Sequence, residues 1–403
     1  MTVRDTSPPV PLTLDDLSAT GGDPGCVWDK LRERGPVHRI MTPEGAPAWL
    51  VTRYPDVRAG LLEPRLSVRK DHARGGDYKG FALPEALDAH LLNRDPPDHT
   101  RLRELIAPML QPRTIDPFRA QIEGITGNLI ANFAGAGKAD LVADLAVPLP
   151  LLVVCALLGV SDRDTDRLLG WARELLVAGS DEPPRARDTV SMMLRIVNEL
   201  IADRRATPRD DVVTALVRSR DARGALTEHE LTSMLFYILF VWYEISVDLI
   251  AGGLLTLLRH LDRLGDLRDR PERIPAAVEE LLRHQTPQFL AAPRFPVEDI
   301  TIAGVPIPAG DSVLLCLASA DRDPTQFPNT RWPDIDGAPP AHLAFGLGIH
   351  TCLGAPLVRM HTQIVIAALL RHCPRLRLAA EVAQLRWQPG LRHTSLRTLP
   401  VVF

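Results

Sequence analysis

Apolar residues recur at the helical period over most of the chain. The pattern predicts helices over about 99–111, 116–134, 163–178, 187–205, 228–260, 275–285 and 353–371. Two short stretches, 46–53 (Ala-Pro-Ala-Trp-Leu-Val-Thr-Arg) and 311–317, read instead as strands. The 36 prolines fall mostly in connectors, which predicts short elements rather than long flexible linkers. The expected architecture is mainly α with a minor β-sheet region, as one domain over residues 1–403.

The longest periodic segment opens with Thr227-Glu228-His229-Glu230, a threonine followed three residues later by glutamate, which is a capping-box pattern. A helix from there to about 260 would be roughly 50 Å long at about 1.5 Å per residue. Gly252 and Gly253 inside it cost about 1 kcal/mol each relative to alanine, which points to close packing there. The span Leu231 to Ala251 is apolar enough to cross a bilayer, yet it holds Glu244 and Asp248. Each acid would cost about 2.5–3.5 kcal/mol at mid-bilayer, so a buried core helix is the expectation.

Composition narrows the classes further. A net charge of -4 gives no general attraction to nucleic acid or an anionic membrane. Five scattered cysteines without paired spacing suit reduced thiols in a cytoplasm. Met1 to Val10 is polar and has neither signal-peptide nor anchor character.

The segment with the most chemistry is Phe345-Gly346-Leu347-Gly348-Ile349-His350-Thr351-Cys352-Leu353-Gly354. Its glycines let the backbone turn tightly and approach a flat ligand. Cys352 stands at the start of an apolar helix, where backbone N–H groups favour a thiolate. Phe345 can shield the sulfur. Zinc is a poor fit, because no second cysteine or histidine pair lies at zinc spacing.

The pattern Phe-Gly-x-Gly-x-His-x-Cys-Leu-Gly resembles the haem-binding signature of the cytochrome P-450 family, in its soluble bacterial type, and the resemblance extends over essentially the whole chain. It implies a single-domain fold with one long helix over haem b, with Cys352 as the axial iron ligand. Glu280-Leu281-Leu282-Arg283 matches the family's Glu-x-x-Arg motif, whose second arginine would be Arg331. Asp95-Pro96-Pro97-Asp98-His99-Thr100-Arg101-Leu102-Arg103 resembles the family's propionate-binding segment, so His99 and Arg103 are expected to hold haem carboxylates with Arg294 and His350. The stretches Gly304 to Gly310 and Ala320 to Phe327 match structural segments of the family.

One motif departs from the family. The long helix usually carries Ala-Gly-x-(Glu or Asp)-Thr, and aligning on the acid gives Val241-Trp242-Tyr243-Glu244-Ile245-Ser246. The acid is kept; the glycine is Trp242 and the threonine is Ile245. Oxygen activation needs protons, and isoleucine can neither donate one nor hold a water. Ser246 is about 100° further round the helix and is expected to face elsewhere. Three routes stay open: a hydroxyl or amine of the substrate, a water on Glu244, or peroxide-driven or poorly coupled turnover.

Tyr237, Val241 and Ile245 are four residues apart and form one stripe, expected to face the haem. Trp242 either closes the groove that glycine would leave or fills core. Phe289, Leu290, the loop Asp71 to Leu91 and the turn His393 to Leu396 are further pocket candidates. The mostly apolar stripe suggests an apolar organic substrate.

These features imply a haem-thiolate monooxygenase that tailors a secondary metabolite by hydroxylation, ring closure or desaturation. Its electrons would come indirectly from NAD(P)H through ferredoxin reductase and ferredoxin, and a monomer is expected. Arg101, Arg113 and Arg359 are candidates to attract an acidic redox partner. The rival readings are a peroxide-driven or non-oxidative haem enzyme, and a non-catalytic haem sensor. Reduced protein with carbon monoxide should absorb at about 450 nm, as the resemblance implies.

Overall fold

Helix Glu228–Leu258 organises the molecule. In the computed structural model, which describes residues 10–13, 16, 25–75, 85–178, 186–221, 225–328 and 341–403, this helix packs against Glu85–Asp88, Pro148–Leu158, Ala186–Ala206, Ile274–Gln285 and Ala355–His372. It starts where the capping box places it. Thr227 Oγ1 accepts the Glu230 N–H at 3.1 Å, and the Glu230 carboxylate accepts the Thr227 N–H at 2.8 Å. By length and composition the helix could cross a membrane, yet its apolar stretch is mostly buried inside the protein. The two glycines are explained by approach of helix Ile274–Gln285: a Cβ on Gly252 would lie 2.8 Å from the Gln285 side chain, and one on Gly253 would lie 3.5 Å from Leu281.

The helices share one large hydrophobic core, while two smaller cores lie around a four-stranded sheet. Strand Val37–Met41 pairs antiparallel with Pro47–Val51, Val37 opposite Val51. Pro47–Val51 in turn pairs parallel with Val313–Leu315, Trp49 opposite Val313. Short Val10–Pro11 adds to the outer edge. The Gly304 turn joins Ile300–Ile302 to Val305–Ile307 as an antiparallel hairpin. A second hairpin, Trp387–Gln388 with Ser395–Leu396, lies against the central helix and carries the turn that includes His393.

Several boundaries differ from the sequence expectation. The predicted strand over 311–317 is only Val313–Leu315, because Leu317–Ala320 turns into a short helix. The predicted helix over 99–111 ends at Ile106 and continues as a tighter turn, Ala107–Leu110, where Pro108 cannot donate to an α-helical bond. That over 116–134 likewise becomes α-helical only at Arg119. The helix expected from Leu353 starts at Ala355, and the central helix ends at Leu258. Among the described residues, five further helices of nine residues or more have no counterpart in the expectation: Cys26–Arg34, Tyr54–Leu62, Pro148–Leu158, Val212–Asp221 and Leu261–Asp269. Pro148 and Pro150 suggest a connector, but proline is tolerated in a helix's first turn, where its missing N–H costs nothing.

Candidate active site

Cys352 sits at the end of a loop whose shape its glycines allow. Gly346 and Gly348 adopt φ of 69° and 80°, and a Cβ on Gly348 would meet Leu62 at 3.1 Å. The Cys352 N–H donates to the Phe345 carbonyl at 2.9 Å and closes the loop. Cys352 keeps accessible surface although protein surrounds it, so the sulfur faces an internal space. Burial pushes its thiol up; the backbone N–H groups of Gly354 and Ala355, then Arg103 and Arg359, act in the opposite direction. The helix N-terminus therefore assists ionisation without achieving it alone, and a bound metal cation would complete it.

Four donors gather beside this loop. His99 and His350 lie with ring centroids 4.3 Å apart, and all four of their ring nitrogens are buried without a hydrogen-bond partner. Burial lowers both imidazoles, His350 to about 3, with Arg294 and Arg103 adding to the effect. Arg294 is 4% exposed, and burial lowers its guanidinium to about 10. Among the described residues its side chain has no ion-pair partner; Asp95 acts on it only at longer range. Arg103 is fixed by donating to the Thr351 carbonyl at 2.7 Å.

Buried cations and orphaned donors are costly unless an anion satisfies them. The cluster fits a ligand with carboxylates, and the neighbouring sulfur fits a metal carried by that ligand. The residues present thus match the two ends of a haem, its propionates and its iron. Replacing Arg294 with leucine is expected to weaken haem binding by about 10–100-fold, read by haem titration, while far-ultraviolet circular dichroism stays unchanged.

The central helix supplies the facing wall. Its middle turns are partly open at Tyr237, Ile238, Val241, Trp242, Glu244 and Ile245, in a helix otherwise mostly buried. The stripe Tyr237, Val241, Ile245 is therefore on the open face. Tyr237 stacks on His90 at 4.3 Å, and Cys352 and Arg392 both act on its phenol, which burial pushes up. Ser246 is 3% exposed and lies on the buried side of the helix, as its offset from Ile245 predicts.

Trp242 turns toward the cysteine loop: a Cβ on Gly354 would lie 3.1 Å from its ring, and the ring meets His361 edge-on at 5.6 Å. Its bulk fills the space beside the sulfur. Phe289 lines a small cavity with Asp248, Gln285 and Trp387, and both Phe289 and Leu290 are otherwise packed in the core. They are 2% and 1% exposed and belong to the core around Trp28, which packs edge-on against Phe289 at 5.7 Å. Ala292 and Pro293, just before Arg294, are the partly open positions of that segment.

Behind the site, Glu280 and Arg283 form a buried pair at 2.9 Å, with Arg283 also donating to the Asp321 carbonyl at 2.8 Å and covering the Phe327 ring at 5.0 Å. Burial raises the Asp321 carboxyl to about 7, and its oxygen accepts the Leu343 N–H at 2.6 Å. The segment Ala320 to Phe327 is thus structural, and it supports the cysteine loop. Arg331 and part of the loop Asp71 to Leu91 lie outside the described residues.

Two of the arginines expected to meet a redox partner are engaged within the chain. Arg101 pairs with Glu230, and Arg359 pairs with Glu279 at 2.6 Å while lying over Phe345 at 4.7 Å. Arg113 is exposed. Sequence reading missed His90 against Tyr237 and the contacts of His393 with Asp248 and Glu244. Nothing local signals either, since the partners come together only in the fold.

Known proteins resemble the chain over its length. The family model described as Cytochrome P450 matches residues 270–383. The cytochrome P450 monooxygenase PikC of Streptomyces venezuelae is 39% identical over 407 residues, covering 98% of this chain and 94% of PikC. The tirandamycin C-bound P450 monooxygenase TamI superposes with a TM-score of 0.88 at 38% identity, covering 98% of this chain and 100% of TamI. CxnD, a cytochrome P450 enzyme for C–S bond formation in chuangxinmycin biosynthesis, superposes with a TM-score of 0.86 at 31% identity, covering 99% and 98%.

Proposed function

This chain belongs to the cytochrome P450 family, and on that premise we propose that it oxidises a mostly apolar small organic molecule in the tailoring of a secondary metabolite. The observation that carries the proposal is the pairing of Cys352 and its cluster of unsatisfied donors with the open apolar stripe Tyr237, Val241 and Ile245. Haem, when bound, supplies the redox iron that activates dioxygen. His99, Arg103, Arg294 and His350 would hold its carboxylates, and Cys352 would give a thiolate to its iron. Phe345 shields the sulfur and is itself held by Arg359.

Val241 and Ile245 keep the reaction face dry, and the Tyr237 hydroxyl offers one polar contact for the substrate. Glu244 holds and moves the proton at its carboxylate. Electrons come from NAD(P)H through ferredoxin reductase and ferredoxin in the cytoplasm. The outcome is hydroxylation, ring closure or desaturation, decided by where the substrate lies.

With Ile245 in the threonine position, a hydroxyl or amine of the substrate completes the proton path. Ile245→Thr is then expected to leave product formed per NAD(P)H within about twofold of wild type, because the substrate already fills that role. A several-fold rise with the same product would sink the substrate-assisted reading. Candidate substrates are found by their shift of the Soret band, and each hit is then tested for product with the ferredoxin system. Binding without any product would overturn the proposed activity.

A further inference from the structure

The C-terminal turn reaches over the central helix and engages both of its acids. His393 Nδ1 lies 2.8 Å from Asp248 Oδ2, and His393 Nε2 lies 3.6 Å from Glu244 Oε2. Asp248 and Glu244 are one helical turn apart, so one imidazole spans both. The turn is itself fixed: the Phe289 N–H donates to the Arg392 carbonyl at 2.7 Å, and Ser395 Oγ is 3.3 Å from His393 Nδ1.

The two carboxylates differ in surroundings. Asp248 has a side chain 4% exposed, so burial holds it in place. Glu244 is 48% exposed and would sample several rotamers on its own. Asp248 therefore anchors the imidazole, and the imidazole is the only group among the described residues seen to hold Glu244.

We propose that His393 is a positioning residue: bridging Asp248 and Glu244, it fixes the Glu244 carboxylate in the orientation from which it handles protons in a helix that lacks the usual threonine. This rests on the proton role given to Glu244 above. The charged groups acting on the imidazole are Asp248 and Glu244 from the central helix and Arg392 from its own turn. Helix Ile274–Gln285 brings only the neutral Gln285 to the small cavity alongside, and hairpin Trp387–Gln388/Ser395–Leu396 brings Trp387 and Leu396. Burial opposes the charged form, but the hydrogen bond to Asp248 and the two carboxylates outweigh it and raise His393 to about 9. Because the pKa is raised, the bridge is complete at neutral pH and is lost as pH rises through about 9.

The test combines a titration with a coupling measurement on the haem-loaded protein. The ring resonances of His393 are followed by nuclear magnetic resonance in the carbon monoxide-bound reduced protein, in wild type, Glu244→Gln and Asp248→Asn. Both substitutions should lower the His393 pKa, Asp248→Asn the more. Product per NAD(P)H is then measured for His393→Gln, Glu244→Gln and the double variant. Each single change should lower it by about 10-fold, with little change in substrate KM, and the double should lose no more than Glu244→Gln alone.

Losses that multiply in the double variant would overturn the proposal, as would a His393 pKa that ignores Glu244. If His393→Gln folds poorly, the wild-type titration and a fall in coupling above pH about 9 still decide it. Failure of the proposed function is distinguishable, since it would appear as absent product in wild type whatever His393 does.

Discussion

Cys352→Ser protein is expected to fold, to bind haem weakly and to lose turnover by more than about 100-fold. A Cys352 thiolate on the iron would supply the electron donation that favours O–O cleavage, whereas a serine hydroxyl is far harder to ionise and offers a less polarisable oxygen. The carboxylate contacts proposed for His99, Arg103, Arg294 and His350 would be untouched, so some haem should be retained. The reduced carbonmonoxy spectrum should therefore lose its thiolate-type Soret band while keeping a haem signal. The loop should survive the change, because its closure depends on the Cys352 backbone N–H and on Gly346 and Gly348 rather than on the sulfur. Retention of the thiolate band in Cys352→Ser would mean that another cysteine is the ligand. Cys155, Cys316 and Cys373 are buried, and Cys26 lies in an outer helix.

Arg283→Ala is expected to cost about 3–5 kcal/mol of stability and to leave little soluble protein. The guanidinium is 2% exposed and does three things at once: it pairs with Glu280, satisfies the Asp321 carbonyl and covers Phe327. Its removal takes from the buried Glu280 carboxylate the guanidinium that donates to both of its oxygens. Asp321, which accepts the Leu343 N–H two residues ahead of Phe345, would also lose its neighbour, so the damage spreads toward the cysteine loop. Urea denaturation gives the measurement. Glu280→Gln, which keeps the shape and some hydrogen bonding, should cost less than Arg283→Ala.

What the sequence made legible is what is local. The capping box at Thr227, the positive-φ glycines around Cys352 and the Glu280–Arg283 pair each depend on residues within a few positions, and the structure has each of them. The stripe Tyr237, Val241, Ile245 followed from helical spacing alone. The packing of Phe289 and Leu290 on Trp28 was not legible, because an apolar pair in a connector looks the same whether it lines a cavity or packs in a core. The side to which Trp242 turns was open for a similar reason: it depends on Gly354 and His361 in another helix. His393 was beyond reach as a partner of Asp248, since the two are 145 residues apart and only the hairpin geometry brings them together.

The proposed function requires that Cys352 supply a thiolate to haem iron in an oxygen-activating site. The reduced, carbon monoxide-bound absorption spectrum of the purified wild-type protein tests it most directly. A Soret band at about 450 nm, lost in Cys352→Ser, is the predicted result. A haem band that stays at the position typical of histidine ligation in freshly prepared wild-type protein, with the same spectrum in Cys352→Ser, would contradict it.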